Sequence, residues 1–254
     1  MKIRIFESRE ECLVAGAWEF MRYALNDPKP VIGCCTGSTT GPIHELVSDM
    51  YRKNPFDTSN LYTVNADEWV TPDEADRPLT MRVTMKRELF DALGIDEEHS
   101  LIAQSVRSKA EQAAIDFEKR IDALGGVGLQ MLGVGPDAHL GFCTAGTPFG
   151  SLTHVRAIPE PTVELIYTKY GFPREWGPYC GITMGIKSFM KGKKTLPITV
   201  GTSKAEAVEK SILGPVTEEV PASVLQLHPN CVWYMDKLAA EGIIGRVDES
   251  MLIK

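Results

Sequence analysis

Short apolar runs alternate with amphipathic helical patterns along almost the whole chain, and this alternation constrains the fold more than any other feature. Strand-like runs cover residues 2–6, 30–35, 60–64, 127–132, 181–185, 195–200 and 231–235. Most are continuous apolar stretches, the pattern of strands buried on both faces. Between them apolar residues recur at helical spacing, as in Leu13, Ala17, Phe20 and Ala24, or Ala110, Ala114, Phe117, Ile121 and Leu124. Further helical patterns cover 43–51, 80–93 (stopped by Gly94), 222–227 and the stretches after the strands at 181–185 and 195–200; a last helix begins over 237–241. Ser8 with Glu11, Ser108 with Glu111 and Ser203 with Glu206 read as capping boxes at helix starts. Such alternation predicts an α/β fold: an open, mostly parallel sheet with helices on both faces. No internal repeat or low-complexity linker interrupts it, so a single domain over residues 1–254 is expected. Residues 72–78 read as a polar, acidic connector. Residues 141–178, rich in Pro and Gly, predict a lid or insert.

In an open α/β sheet, ligands bind just past the carboxyl ends of the strands. Chemistry-bearing residues fall there four times. The run at 127–132 is broken by Gly133, Gly135 and Pro136, and Asp137 and His139 follow at once, an acid and a base placed for proton transfer. After the strand at 30–35 comes Thr36-Gly37-Ser38-Thr39-Thr40-Gly41-Pro42 and then a helix, an arrangement that offers backbone N–H groups to a phosphate. It lacks the Walker Lys and the Rossmann glycine spacing, so it is a generic anion loop. Asp67 and Glu68 follow the third strand. Lys204 follows the strand at 195–200, where a cation opposes the dipole of the helix it begins unless an anion binds there. Each feature also has a plain reading as a polar turn or a solvated helix start; Arg9 and Lys109 occupy helix starts without a ligand to explain them.

The formal net charge of −7 argues against nucleic-acid partners but not against a small anionic substrate held by local donors. No apolar run approaches the roughly 20 residues of a membrane span, so no membrane partner is expected. The first six residues do not make a signal peptide, which predicts a cytoplasmic protein. The six cysteines lack metal or disulfide spacing and read as reduced thiols; Cys143, close to His139, stands as an alternative nucleophile. No metal is implied.

Four stretches together carry a resemblance: Thr36-Gly37-Ser38-Thr39, Asn65-Ala66-Asp67-Glu68, Gly133-Val134-Gly135-Pro136-Asp137-Ala138-His139 and Ser223-Val224-Leu225-Gln226-Leu227-His228-Pro229, with Gly201-Thr202-Ser203-Lys204 as a fifth. In this order and spacing the chain resembles the glucosamine-6-phosphate deaminase (isomerase) family from about residue 2 to 245. The Gly-x-Gly-x-Asp-x-His part is shared with 6-phosphogluconolactonases and marks only the superfamily. The resemblance implies a modified Rossmann-like fold and a hexosamine 6-phosphate substrate, with no cofactor. It implies that Thr36, Gly37, Ser38, Thr39 and Lys204 hold the phosphate. Asp67 would move a proton between C2 and C1, and His139, oriented by Asp137, would assist ring opening. His228 reads as structural.

The chain departs from the family twice. A Glu five residues after the catalytic His is Thr144 here, for which Glu160 or Glu164 could substitute. The family's Arg near the phosphate has Lys169 as its nearest match, which keeps the charge but not the bidentate fork. Three functions therefore remain open: an amino-sugar phosphate deaminase, a lactonase using His139 as general base, and a non-catalytic sugar-phosphate binder. Family members are often homo-oligomers.

Overall fold

The computed structural model describes residues 1–74, 80–158, 163, 164 and 166–253, except for the side chains of Lys169 and Tyr170. Within the 72–78 connector, residues 75–78 lie outside this set, as do Glu160 and the Lys169 side chain named above.

The chain opens with β1 (Lys2–Phe6), α1 (Arg9–Asn26), β2 (Val31–Cys34), α2 (Thr40–Lys53) and β3 (Tyr62–Asn65). Then come β4 (Asp67–Thr71), α3 (Met81–Met85), a π-helical turn (Lys86–Phe90), α4 (Asp91–Leu93), β5 (Ser100–Leu101) and β6 (Ser105–Val106). Next are α5 (Ala110–Ala123), β7 (Leu129–Gly133), β8 (His154–Ala157) and β9 (Cys180–Thr183). The chain finishes with α6 (Ile186–Met190), β10 (Lys194–Thr199), α7 (Ala205–Leu213) and β11 (Val232–Asp236).

Seven strands form one sheet in the order β1-β11-β10-β7-β2-β3-β5, every pairing parallel. From β2 the chain works outward to β3 and β5; from β7 it works the other way to β10 and β11. The β2–β7 boundary is thus the topological switch point, where an open sheet leaves a crevice at its carboxyl edge. Alternate strand residues face opposite cores. Ile32, Met131, Ile198 and Tyr234 pack on α1, α2 and the α3–α4 segment. Val31, Leu132, Trp233 and Met235 pack on α5, α7 and the second sheet.

The second sheet has the order β6-β4-β9-β8, with β4 parallel to β6 and antiparallel to β9, and β8 antiparallel to β9. Its strands β4, β6 and β8 are not expected from the sequence, nor is β5 in the main sheet. The two carboxylates that open β4 read as a solvated loop, β8 is only half-buried, and β5 and β6 are two residues long. Ala66 is the crossing point. Its N–H donates to Cys34 O in the first sheet (2.8 Å), and its C=O accepts from the Met184 N–H beside the second (2.7 Å). The 141–178 segment supplies β8 and a separate small core of Ile158, Ile166 and Phe172 with Trp69, Met81 and Tyr179.

Several helix expectations are corrected. Ser8 does cap α1, accepting from Glu11 N–H at 3.2 Å. At Ser108 and Ser203, 3₁₀ turns (Arg107–Lys109 and Thr202–Lys204) precede the helices, and no side chain caps either one. Residues 222–227 belong to a 3₁₀ helix, Pro221–Leu227. The helix expected from 237 is a run of turns. Asp236 takes the Ala239 N–H (2.8 Å), and Gly242 and Gly245 follow too closely for a helix to propagate. Among the described residues no helix is long and apolar enough to cross a membrane.

Candidate active site

Four adjacent strands, β10, β7, β2 and β3, end at one crevice, and each delivers one of the expected groups. Past β2, Thr40 Oγ1 donates to Cys35 O (2.5 Å) and Gly41 N–H to Gly37 O (2.9 Å), folding residues 36–41 into a tight turn that opens α2. No side chain caps α2; Gly41 N–H is taken by Gly37 O and Pro42 has none, so the donors left to an anion here are those of the 36–40 turn. Asn65 Nδ2 donates to Thr36 Oγ1 (3.3 Å), tying this turn to the end of β3. Arg9 Nη2 donates to Ser38 O (3.2 Å) from the start of α1.

Past β7, residues 135–139 form a turn closed by Gly135 N–H to His139 O and Ala138 N–H to Gly135 O, both 3.0 Å. Ala138 has φ +65°, a conformation few side chains adopt, and it swings Asp137 and His139 to the same side. Asp137 Oδ1 and His139 Nδ1 meet at 2.5 Å. That bond and the imidazole's field hold the Asp137 carboxyl down at about 2. An ionised Asp137 can only accept, so Nδ1 carries the proton and Nε2 is left free to take one.

Past β10, both oxygens of the buried Asp236 accept from Gly201 N–H (3.0 Å each), fixing the turn that carries Lys204. Lys204 is half-buried. Burial lowers its ammonium pKa, and the nearby Asp137 carboxylate opposes that shift.

Asp67 is the first residue of β4, where the chain passes between sheets. It is 7% exposed, and its Oδ1 has no hydrogen-bond partner among the described residues. Burial and the neighbouring Glu68 push its pKa up to about 7. Burial also raises Glu68 to about 7, but Glu68 accepts from the backbone N–H groups of Trp69 (2.6 Å), Met81 (2.8 Å) and Arg82 (2.9 Å). Those donors favour the charged form of Glu68, and that charge adds to the rise at Asp67. Gly141, two residues past His139, passes directly over Asp67: a Cβ there would lie 2.7 Å from Thr183 Oγ1 and 3.5 Å from Asp67 Oδ2. Its φ of +56° and this close approach both require glycine.

These strand ends therefore carry a buried carboxyl raised to about 7, a carboxylate-oriented imidazole, the 36–41 turn and a half-buried ammonium. Together these can bind an anion and move protons at a carbon a few ångströms away. Among the described residues no cluster of His, Cys, Asp or Glu could hold a metal ion. Cys143 does not serve as a nucleophile: it is buried, its thiol is pushed up to about 12 by desolvation, and it lies 3.3 Å from Met184 O as a donor. Glu164 does not substitute at position 144, being exposed and 4.0 Å from Arg174 Nη2. Instead the hydroxyl of Thr144 accepts from Arg156 Nη2 (2.6 Å) on β8. Sequence reasoning missed Arg156; the His154-Val-Arg-Ala alternation was its only signal. His228 is buried, with Nε2 2.9 Å from Gly192 O and Nδ1 accepting from Asn230 N–H (3.1 Å), a structural role.

No protein-family model matches the chain. A glucosamine-6-phosphate deaminase of Clostridium botulinum is 32% identical over 240 residues, 94% of this chain and 98% of its own length. One from Thermoanaerobacter pseudethanolicus is 33% identical over 242 residues, 94% of each. Among solved structures, a monomeric glucosamine-6-phosphate deaminase of the NagB superfamily superposes with a TM-score of 0.87 at 29% identity, covering 95% of this chain and all of its own. The 6-phosphogluconolactonase of Trypanosoma cruzi shares the fold, with a TM-score of 0.75 at 16% identity over 95% of this chain and 96% of its own. With deaminases 32–33% identical over 94% of its length, the chain belongs to the glucosamine-6-phosphate deaminase family.

Proposed function

We propose that the chain converts a hexosamine 6-phosphate, glucosamine 6-phosphate or a close relative, to a ketohexose 6-phosphate and ammonia. The observation that carries this reading is Asp67: a buried carboxyl with one unpartnered oxygen, raised to about 7, beside the turn that carries His139. Aldose–ketose isomerisation needs a base that takes a proton from C2 and returns it to C1 near neutral pH, and such a carboxyl suits it. His139, with Nε2 free, shuttles the proton of ring opening, and Asp137 keeps the imidazole oriented. The α2 start with Thr36, Gly37, Ser38 and Thr39 receives the phosphate, and Lys204 balances its charge. Asp67 returns its proton to C1, the resulting imine takes up water, and ammonia leaves. The six unpaired thiols suit a reducing, cytoplasmic setting for this chemistry.

Ammonia release coupled to a dehydrogenase, run against a panel of hexosamine 6-phosphates and sugar-phosphate lactones, tests the reading. Turnover of a hexosamine 6-phosphate with stoichiometric ammonia is expected. Turnover of a lactone alone, or a sugar phosphate that raises the melting temperature without being converted, would overturn it.

A further inference from the structure

Thr144 and Arg156 have no part in the mechanism so far, yet a 2.6 Å hydrogen bond joins them between the turn after His139 and the sheet that carries Asp67. Leu140 and Cys143 pair across a two-residue turn, Leu140 N–H to Cys143 O at 3.3 Å and Cys143 N–H to Leu140 O at 2.9 Å. Thr144 therefore follows directly on the bridge that closes the turn after His139. Its backbone is fixed: Thr144 O accepts both the N–H (3.1 Å) and the hydroxyl (2.6 Å) of Thr147. Its own hydroxyl accepts from Arg156, which leaves the Thr144 proton to donate. Nothing among the described residues accepts it.

Arg156 is equally specific in placement. Asp67 lies opposite Thr183, and Gly181 lies opposite Arg156, so Asp67, Thr183, Gly181 and Arg156 share one face of the second sheet. Two inter-strand spacings and two residues separate Asp67 from Arg156, about 12 Å between Cα atoms. The 141–142 turn crosses this face, with Phe142 N–H donating to Thr183 Oγ1 (3.1 Å). Arg156 is half-buried, and no carboxylate among the described residues forms an ion pair with it.

We propose that Thr144 is a catalytic hydrogen-bond donor to the C1 oxygen of the open-chain sugar, and that Arg156 is the positioning residue that aims and polarises its hydroxyl. This rests on the isomerase–deaminase reading above. When Asp67 takes the C2 proton, the C2–H electron pair becomes the C1–C2 double bond and the C1=O pair moves onto O1. Negative charge then grows on O1, at the end of the sugar away from the phosphate. A hydroxyl that already accepts from a guanidinium is a stronger donor to that oxygen than an isolated one, and it is in place before the charge develops. Asp67, now neutral, returns its proton to C1; the C2 iminium this leaves passes an N–H proton to O1, giving the C1 hydroxyl and the neutral imine that water then hydrolyses.

The test compares wild-type protein with Thr144→Val, Thr144→Ser, Arg156→Gln and Arg156→Lys. It measures ammonia release from glucosamine 6-phosphate and, by NMR in D₂O, exchange of the C2 hydrogen. Thr144→Val is nearly isosteric and keeps the fold readable if an Arg156 variant unfolds. Thr144→Val and Arg156→Gln are expected to lower kcat and the exchange rate by ~10²-fold with KM within about twofold, the size seen when one donor to a developing oxyanion is removed. Thr144→Ser and Arg156→Lys should recover most of the rate. An unchanged kcat in Thr144→Val and Arg156→Gln, with wild type active, overturns the proposal alone. So does a rise in KM at constant kcat, which would make Arg156 a ligand for a substrate anion. Wild-type protein that converts no hexosamine 6-phosphate overturns this proposal together with the reading it rests on.

Discussion

The carboxyl edge of the seven-stranded sheet and the four-stranded sheet beside it build the crevice by different physical means. On the edge, every functional group hangs from a loop: the 36–41 turn, the 135–139 turn and the turn at Lys204. These loops are held by backbone bonds and by single polar clamps such as Asp236 on Gly201. In the second sheet the groups stand on strands, Asp67 at the start of β4, Thr183 at the end of β9 and Arg156 inside β8. Loops at helix starts offer N–H groups and charge cheaply, which suits binding an anion. Strands give rigid placement and burial, which suits a base whose pKa must be shifted. The division predicts that damage to the second sheet shows in kcat and damage to the loops that face the phosphate, at 36–41 and Lys204, shows in KM; the 135–139 turn, which carries the His139 imidazole, sides with the second sheet.

The largest effect tests the first half of that division. Asp67→Asn keeps the shape and removes the base, and kcat should fall by about a thousandfold with KM little changed. The same substitution should raise the melting temperature at pH 8. The folded-state pKa of Asp67 lies above that of an unfolded carboxyl, so the native state holds its proton where the unfolded state releases it. Stability is therefore lost as pH rises from about 4 through about 7. Asparagine removes that loss, so its gain should be larger at pH 8 than at pH 5. A variant that retains turnover, or whose stability gain is the same at both pH values, would remove Asp67 from its role.

Lys204→Ala tests the other half. A hydrogen-bonded charge on a phosphate is worth roughly 1.5–3 kcal/mol, which is about ten- to a hundredfold in KM. Steady-state kinetics should show that rise with kcat held within a few-fold. A loss confined to kcat would mean that the phosphate-facing loops carry chemistry as well as binding, and the division would fail.

Glu68→Gln probes the coupling within the second sheet and should have a smaller effect. In wild type the acid limb of kcat/KM should lie near pH 7, because Asp67 must be ionised to act as base. Removing the adjacent negative charge lowers the Asp67 pKa, so the limb should move to lower pH. The amide keeps one acceptor oxygen for Trp69 and Met81 but turns an N–H toward Arg82 N–H, so a melting temperature lower by several degrees should accompany the shift. A limb that stays near pH 7 would mean that burial alone sets the Asp67 pKa.

The same contrast decides what the sequence could disclose. Buried parallel strands announce themselves as apolar runs, and a strand end followed by Gly, Ser or an acid is a local signal. The edge loops with Thr36–Thr39, Asp137, His139 and Lys204 were therefore legible. The second sheet was not. β4 begins with two carboxylates that any pattern reads as solvated, and the burial of Glu68 depends on Met81 and Arg82, more than ten residues away, supplying N–H donors. The pairing of Thr144 with Arg156 depends on a turn at 141–142 and on a half-exposed strand, neither of which has a periodic signature. The capping boxes at Ser108 and Ser203 show the opposite error: a correct local pattern was overruled where a 3₁₀ turn took the helix start.

The smallest effect concerns the stretch that most clearly marks the family, Leu225-Gln226-Leu227-His228-Pro229. Its polar members do not reach the crevice. Gln226 Nε2 donates to Ser211 O (2.8 Å) and Gly214 O (3.0 Å), closing the carboxyl end of α7, and His228 sits against Gly192 O at the entry to β10. Both contacts therefore brace the strand and helix that flank Lys204, which makes this stretch scaffold for an edge loop. Gln226→Ala should cost about 1–2 kcal/mol of stability, the net worth of two neutral hydrogen bonds, and leave kcat and KM within about twofold. Denaturant melts paired with steady-state kinetics measure both quantities at once. If kcat fell well beyond twofold while stability held, the stretch would act on the chemistry through the Lys204 loop, and assigning binding alone to that loop would be wrong for this fold.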